Sequence, residues 1–473
     1  MKKLDCIIIG AGVVGASIAR ELSRYTLDTL VLEKEIDVGL GASGANSAII
    51  HSGYDPIPGT LKAKLNVLGN EMYDLVADEL SLQFKRIGSI TIANNEEEIE
   101  ILKELAKRSE ENGVEYKLLN QEELFLIEPN ITKTALMGLL CPTAGIINPF
   151  ELVVHTMENA MDNGVKLNLG EEVVNIIKLD DGFKVITSKD EYLTKYVINA
   201  SGVYSSKIND LVNEHTFTVN PRRGEYFVLD HFDDNYIKHT LFNVPSSKGK
   251  GVLVSPTTHL NYLVGPSSEY ISEFDSVKTN QDILNNVKLN AKRLVDNIPY
   301  REAITEFAGL RSVSDTHDFV INCNDGFINA AGIESPGLTS APAIAKMVSD
   351  FISDKIPNPN FNPRIRPQIR MNELSDLERN EIIKRDPRFG RIICRCEVIS
   401  EGEILDAINR NCGARTVEGV KRRCRPGMGK CQGGFCQSLV LEILARELGC
   451  EPKDIMWRGA NSYIVSGPTK ENE

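Results

Sequence analysis

A chain of 473 residues is long enough for two or three domains with large cores, and its net charge of −13 argues against nucleic acid or an anionic membrane as a general partner. No run of about eighteen apolar residues occurs, so no transmembrane helix is expected. The start, Met1-Lys2-Lys3-Leu4-Asp5, runs directly into an apolar segment and leaves no room for a cleaved signal, which predicts a cytoplasmic protein whose docking on a membrane goes through a partner.

Leu4–Ile9 reads as a buried parallel strand. It stops at Gly10-Ala11-Gly12-Val13-Val14-Gly15, a helical stretch follows to about Ser23, and a second strand, Thr29–Leu32, ends on Glu33. This is a βαβ unit with a G-x-G-x-x-G turn. Gly10 permits the turn, Gly12 lets the backbone approach a pyrophosphate, Gly15 lets helix and strand pack, and Glu33 accepts from ribose hydroxyls. The free N–H groups and dipole of the helix start favour the phosphates.

A second G-x-G-x-x-G, Gly39–Gly44, has no apolar strand before it and reads as a loop approaching the cofactor. Gly41, Ser43, Asn46, Ser47 and His51 carry polar groups along it. A helix is predicted over 61–79, an alternating strand over 82–92, and a helix from Asn95, with Glu98 as capping partner, to about 111. Further helices are predicted near 150–163 and 279–297. Strands leading into Asn199-Ala200-Ser201-Gly202 and into Ala330-Ala331-Gly332 predict two more cofactor-facing turns. The second of these opens a helix at about Leu338-Thr339, whose positive pole can stabilise charge on a ring above it. The proline- and asparagine-rich stretch from Ile356 predicts an extended linker.

Of ten cysteines, Cys6, Cys141 and Cys323 are scattered and seven fall between 394 and 450. In a reducing compartment that cluster points to metal or redox chemistry before disulfides. Cys394-Arg395-Cys396 and Cys431–Cys436 form C-x-C and C-x₄-C pairs that suit Zn²⁺ or an iron–sulfur cluster, and C-x-C does not fit a zinc ribbon. Lys421, Arg422, Arg423, Arg425 and Lys430 are expected to offset the cluster's negative charge. Cys424 lies close to the ligand segment.

Gly10–Gly15 with Glu33, the Gly41–Asn46 loop, Asn199–Gly202, Phe307-Ala308-Gly309-Leu310-Arg311 and the Gly332–Thr339 loop together resemble the FAD-dependent oxidoreductases of the D-amino-acid oxidase superfamily. Asn46–Tyr54 resembles the glycerol-3-phosphate dehydrogenases and oxidases, and the 2-hydroxyglutarate oxidases share much of it. Gly429–Cys436 resembles the bacterioferritin-associated-ferredoxin-like [2Fe–2S] domain, and the combination resembles the anaerobic large-subunit type of glycerol-3-phosphate dehydrogenase.

The resemblance implies an α/β plus α+β architecture. Residues 1–80, 145–215 and 325–355 form a Rossmann-like FAD-binding domain, and 81–144 with 216–324 form a mixed-sheet substrate domain. A linker over 356–388, a small helical [2Fe–2S] domain over 389–450 and a tail over 451–473 complete the chain. It implies oxidation of sn-glycerol 3-phosphate to dihydroxyacetone phosphate by hydride transfer to FAD, with electrons leaving through the cluster to a partner flavoprotein or carrier. His51 is then the base, and Arg311 and Lys250 hold the anionic substrate, with Arg222 and Arg223 as weaker candidates. Gly10, Gly12, Gly15, Glu33, Gly41, Ser43, Asn46, Ser47, Gly202, Gly332, Gly337, Leu338 and Thr339 hold FAD. Cys394, Cys396, Cys431 and Cys436 hold the cluster. Ser335 stands where some relatives carry a flavin-linked cysteine, which implies non-covalent FAD. The alternatives are a dehydrogenase of another anionic hydroxy or amino acid, and a non-catalytic redox-sensing or scaffold subunit.

Overall fold

The structure is a computed structural model that describes residues 2–245, 251–353 and 355–467. The first strand, β1 (Lys2–Ile9), pairs in parallel with β2 (Thr29–Leu32) on one side and with Glu191–Asn199 on the other. Both faces are covered, as its unbroken apolar sequence requires. Cys6 and Ile8 enter one core with the helices, while Ile7 and Ile9 enter another under the 173–199 strands. Lys166–Asn168 extends the sheet beyond β2 in parallel. The Glu191–Asn199 strand forks: its first half pairs with the antiparallel Gly182–Thr187 strand, and its last three residues pair in parallel with Phe327–Ala331.

β1, Glu191–Asn199 and Phe327–Ala331 therefore end along the same edge of the sheet. The turns at Gly10, Gly202 and Gly332 follow them there, at the carboxyl edge where doubly wound sheets take their ligands. Helix α1 (Val13–Leu22) starts at the first turn, and the Gly337–Asp350 helix starts after the third. Gly15 is required by that geometry, since a Cβ on it would lie 1.9 Å from the Gly10 carbonyl oxygen.

Helix α2 (Leu61–Glu79) has the predicted bounds and is capped by Thr60, whose hydroxyl accepts from Ala63 N–H. It crosses the Gly337–Asp350 helix at Gly69, where a Cβ would lie 2.1 Å from the Thr339 carbonyl oxygen. Gly69→Val forces the two helices apart at an overpacking cost of about 1–3 kcal/mol. A lowered melting temperature and less flavin per purified chain are expected; an unchanged melting temperature would show that the crossing is loose.

A second, nine-stranded sheet draws its strands from 89–141 and 219–314. The Gln281–Ala291 helix, shorter than predicted, buries Leu284, Val287 and Ala291 against it. The single strand predicted over 82–92 is two, Phe84–Arg86 and Ser89–Ala93, broken at Gly88, and the second is buried at every position. Val320–Asn324, which the 324/325 boundary places with this sheet, pairs instead with Phe327–Ala331 in the first.

The stretch after Ile356 is extended but tightly fastened. Thr26 N–H donates to Ile356 O, Asn358 N–H to Arg24 O and Ile365 N–H to Glu79 O, so it straps the first domain. Its last part is helical over Asp376–Arg385, a departure from the predicted linker. The Ser375–Glu378 capping box that starts this helix is legible in the sequence.

The C-terminal module has helices at Glu401–Asn409, Val417–Cys424 and Gln437–Leu448 around its own apolar core. The tail joins this core through buried Ile455 and partly buried Trp457 and Val465. Two buried ion pairs dock the module on the first domain. Arg410 Nη1 lies 2.8 Å from Glu158, and Arg423 grips both oxygens of Asp37 at 2.8 Å.

Candidate functional site

A cavity of about 1760 Å³ runs from the glycine turns to the second sheet. Gly10, Gly12 and Glu33 wall its dinucleotide end with Gly41, Ser43 and Gly202, and Asn46, Ser47, Gly337 and Leu338 continue the wall. Glu33 is oriented from behind, since its carboxylate accepts from Ala11 N–H at 2.7 Å and from Glu35 N–H at 3.0 Å. Burial raises its pKa, and those two donors oppose the rise. Ser43 caps α1 from outside the helix, accepting from Val13 N–H at 2.9 Å. The Gly39–Gly44 stretch holds only a 3₁₀ turn, Ala42–Gly44, as expected of a loop. A Cβ on Gly41 would meet nothing within 4 Å, so Gly41 leaves the wall open at that point.

Gly15, Gly332 and Thr339 do not line the cavity. Gly15 serves helix packing. Gly332, at φ +63°, passes within 2.7 Å of the Ser314 Cβ when given a Cβ of its own. Thr339 is fully buried, and its hydroxyl accepts from His51 N–H at 2.9 Å instead of facing a ligand. Lys250 lies outside the described residues.

His51 is on the cavity wall, with Nε2 3.4 Å from Ser335 Oγ and its ring 5.9 Å from that of Phe242. Its backbone is clamped at both ends. Besides the Thr339 contact, its carbonyl accepts from Asn66 Nδ2 at 2.7 Å and Asn70 Nδ2 at 3.0 Å, both from α2. Tyr73 Oη, further along α2, donates to Leu338 O at 2.5 Å and ties the same helix to the start of Gly337–Asp350. Sequence reasoning missed these fixtures; the polar side chains at one-turn spacing within an otherwise buried stripe of α2 are the signal that could have found them. Among the other histidines only His317, exposed, touches the cavity. His155 and His259 are held neutral by burial, at about 3 and about 2.

Arg311 also lines the cavity, half-buried on the Ala303–Ser314 strand, its Nη2 donating to Ser267 O at 2.7 Å. A Cβ on Gly224 would lie 2.1 Å from that guanidinium, so the neighbouring strand makes room for it with a glycine. Burial lowers its pKa from 12.5, a drop that Tyr226 resists and Arg222 deepens. No carboxylate pairs with Arg311 among the described residues. Arg222 and Lys62, by contrast, share Glu334, at 2.5 and 2.8 Å, and Arg223 pairs with Glu269 at 2.7 Å. Lys62 and Glu334 were not anticipated. Arg311, Arg222 and Lys62 thus line the cavity against the single carboxylate of Glu334, an excess of positive charge suited to an anion.

In the C-terminal module the four expected cysteines come together as two pairs. Cys396 Sγ is 3.5 Å from Cys431 Sγ, and Cys394 is hydrogen-bonded to Cys436. The Cys436 thiol holds Cys394 down to about 6, and the same contact, with burial, pushes Cys436 up. Burial opposes a thiolate at Cys431, but Cys396 and the N–H groups of Gly433, Gly434 and Phe435 prevail and lower its pKa. Backbone donors aimed at paired thiolates fit an iron–sulfur cluster, which these four cysteines would hold. Among the described residues no three His, Cys, Asp or Glu side chains close round a single point, as a mononuclear zinc ion needs.

The nearby cations do not all serve the thiolates. Arg423 pairs with Asp37, Arg422 reaches Val38 O, and Arg425 pairs with Glu397 at 2.8 Å. The charge-offset expectation therefore fails for the two buried arginines, which dock the module. Cys424 is buried with its Sγ 3.5 Å from Val420 O, outside the pairs.

Comparison with known proteins gives the same two parts. A family model described as FAD dependent oxidoreductase matches residues 5–351, and one described as BFD-like [2Fe-2S] binding domain matches residues 392–446. The chain is 50% identical over 98% of its length to a glycerol 3-phosphate dehydrogenase of Caloramator mitchellensis, covering 99% of that protein. It is 34% identical over 73% of its length to a glycerol 3-phosphate oxidase of Mycoplasma genitalium, covering 94% of it. Among solved structures, the dithionite-reduced L-alpha-glycerophosphate oxidase of Mycoplasma pneumoniae with FAD bound superposes with a TM-score of 0.75 at 31% identity, over 78% of this chain and all of that one. The paired thiols thus lie within the BFD-like [2Fe-2S] binding domain and the glycine-edged cavity within the FAD-dependent part, and the chain belongs to the FAD-dependent oxidoreductase family, with that [2Fe-2S] domain joined to its C-terminal end.

Proposed function

We propose that the chain oxidises sn-glycerol 3-phosphate to dihydroxyacetone phosphate in the cytoplasm and passes the electrons through its cluster to a partner protein. The observation that carries this reading is the likeness, at half identity and over both modules, to a glycerol 3-phosphate dehydrogenase. The unpaired guanidinium of Arg311 on the cavity wall is its physical counterpart, since a guanidinium fork matches phosphate oxygens bidentately.

FAD supplies the hydride acceptor for such an oxidation. His51 takes the hydroxyl proton, the role of a positioned imidazole base. Its ring is steadied by Ser335 and Phe242, and its backbone cannot shift without breaking the Thr339, Asn66 and Asn70 contacts. Arg311, helped by Arg222 and Lys62, holds the phosphate. The first-turn N–H groups at Leu338 and Thr339 have no intrahelical acceptor and place a positive pole at the cavity.

Anaerobic titration of the flavin tests the substrate. Bleaching by sn-glycerol 3-phosphate and none by L-2-hydroxyglutarate is expected; the reverse result would assign the chain to a hydroxy acid. Arg311→Ala should raise the substrate concentration for half-maximal bleaching about ten- to hundredfold, the worth of a charge-assisted hydrogen bond of about 1.5–3 kcal/mol. An unchanged midpoint would free Arg311 from substrate binding.

Electrons have a surface from which to leave. Cys396 is exposed, and Phe435, one residue before Cys436, is 82% exposed beside exposed Gly434 and Lys430. Among the described residues no helix is long and apolar enough to cross a membrane. A partner electron carrier docking at Phe435 predicts that Phe435→Ala slows reoxidation by that carrier while leaving flavin reduction by substrate intact. Equal slowing of both steps would place the exit elsewhere.

A further inference from the structure

The tail beyond the [2Fe–2S] helices contributes to the cavity of the other module. Arg458 and Gly459 line the FAD cavity, although they lie more than a hundred residues past the Gly337–Asp350 helix that ends the flavin domain. They sit at the tip of a tight turn. Trp457 N–H donates to Ser462 O at 2.6 Å, and Ser462 Oγ accepts from Arg458 N–H at 2.9 Å and from Gly459 N–H at 3.1 Å. A bridge between Met456 and Tyr463 closes the turn.

The turn is fixed to the docking helix. Glu418 N–H donates to Trp457 O at 2.9 Å and Val417 N–H to Met456 O at 3.3 Å, using free donors of the Val417–Cys424 start. Trp457 lines a small crevice with Gly427, Gly433 and Cys436 and packs against the module's core. The same helix carries Arg422 and Arg423, which bind Val38 O and Asp37 immediately before the Gly39–Ser43 wall. Burial lowers the Arg422 pKa to about 10, and the charge of nearby Arg458 adds a smaller push in the same direction. No carboxylate pairs with Arg458 among the described residues.

We propose that Arg458 is a cofactor-binding residue: its guanidinium closes the cavity over the ADP half of FAD and pairs with the diphosphate. The diphosphate is the only anionic part of that cofactor. The Gly12–Val13 helix start and the Gly41–Ser43 loop, which suit phosphate oxygens, belong to the same cavity as Arg458. An exposed cation with no carboxylate partner among the described residues, on a turn held by three N–H bonds to Ser462 at the edge of that cavity, is placed for a charge-assisted bond to phosphate. The flavin site is then completed by the iron–sulfur module, and FAD retention depends on the module being docked. The inference rests on FAD occupancy and not on the identity of the substrate.

Flavin-free full-length protein, with its cluster retained, is titrated with FAD and the dissociation constant read from flavin fluorescence. Arg458→Ala should weaken FAD about ten- to hundredfold, and Arg458→Lys, which keeps the charge, should recover at least half of that loss on a logarithmic scale. Lys453→Ala, elsewhere on the tail, should change nothing. The flavin-free melting temperature and the cluster absorption should match those of the parent in every variant. An Arg458→Ala constant within twofold of the parent overturns the proposal. Equal losses in the alanine and lysine variants, or a loss that tracks a lower flavin-free melting temperature, overturn it too, because they make the residue structural. Substrate bleaching is scored separately, so a wrong substrate assignment leaves this result untouched.

Discussion

His51→Ala should lower the rate of flavin reduction by sn-glycerol 3-phosphate about 10²- to 10⁴-fold, the usual worth of a positioned general base, while FAD stays bound at one per chain. FAD should remain because no cavity-lining glycine moves and because the clamp on residue 51 is a backbone clamp. Thr339, Asn66 and Asn70 bind its N–H and carbonyl, which alanine retains. Stopped-flow bleaching under argon measures the rate, and added imidazole should restore part of it by occupying the vacated space near Phe242 and Ser335. A variant that reduces its flavin at the parent rate would remove His51 as the base. Loss of FAD together with activity would instead make the ring a structural part of the wall.

The second large effect is on stability. Asp37→Ala leaves Arg423 charged, almost fully buried and without its carboxylate, and breaking such a pair from one side costs about 3–5 kcal/mol. Trp457 is the only tryptophan, and it packs in the C-terminal module, so its fluorescence reports that module alone. Urea should release it at a lower concentration in Asp37→Ala than in the parent. The double variant Asp37→Ala/Arg423→Met should recover much of the loss, since it leaves no orphan charge. Identical midpoints in parent and single variant would show that the module is held by other contacts.

The pair also sets a pH window. Burial alone would raise the Asp37 carboxyl, but Arg423, by charge and two hydrogen bonds, and Arg422 hold it below 3.8. A carboxyl lowered on folding stabilises above its unfolded pKa and loses that contribution as pH falls through the folded one. Arg423 is raised instead, so its contribution is lost only in strong alkali. The contribution of this one pair to docking should therefore be constant above about pH 4 and be lost only in acid below it. Burial should also leave it little affected by salt.

What could be read from the sequence was whatever a local pattern encodes. The Gly10 turn with Glu33, the bounds of α2, the three glycine loops and the paired cysteines all follow from spacing within thirty residues or fewer on each side. The groups that fix His51 were not legible, because Asn66, Asn70 and Thr339 meet it only when α2 crosses the Gly337–Asp350 helix. Arg422 and Arg423 were misread for a related reason. They lie a few residues before the ligand segment at Cys431, whereas Asp37 is 386 residues from Arg423. The Asp376–Arg385 helix is a different kind of miss. Its capping box was in plain view, but the prolines before it dominated the reading.

The Asp37–Arg423 contact has a consequence for biosynthesis. At about 5–20 residues per second the ribosome reaches Arg423 roughly 20–80 s after Asp37. Through that interval β1, α1 and β2 can form their sheet, but the loop after Glu33 waits without its brace, and the turn bearing Arg458 emerges later still. In the growing chain the glycine turn made first belongs to a cavity whose outer wall is finished last.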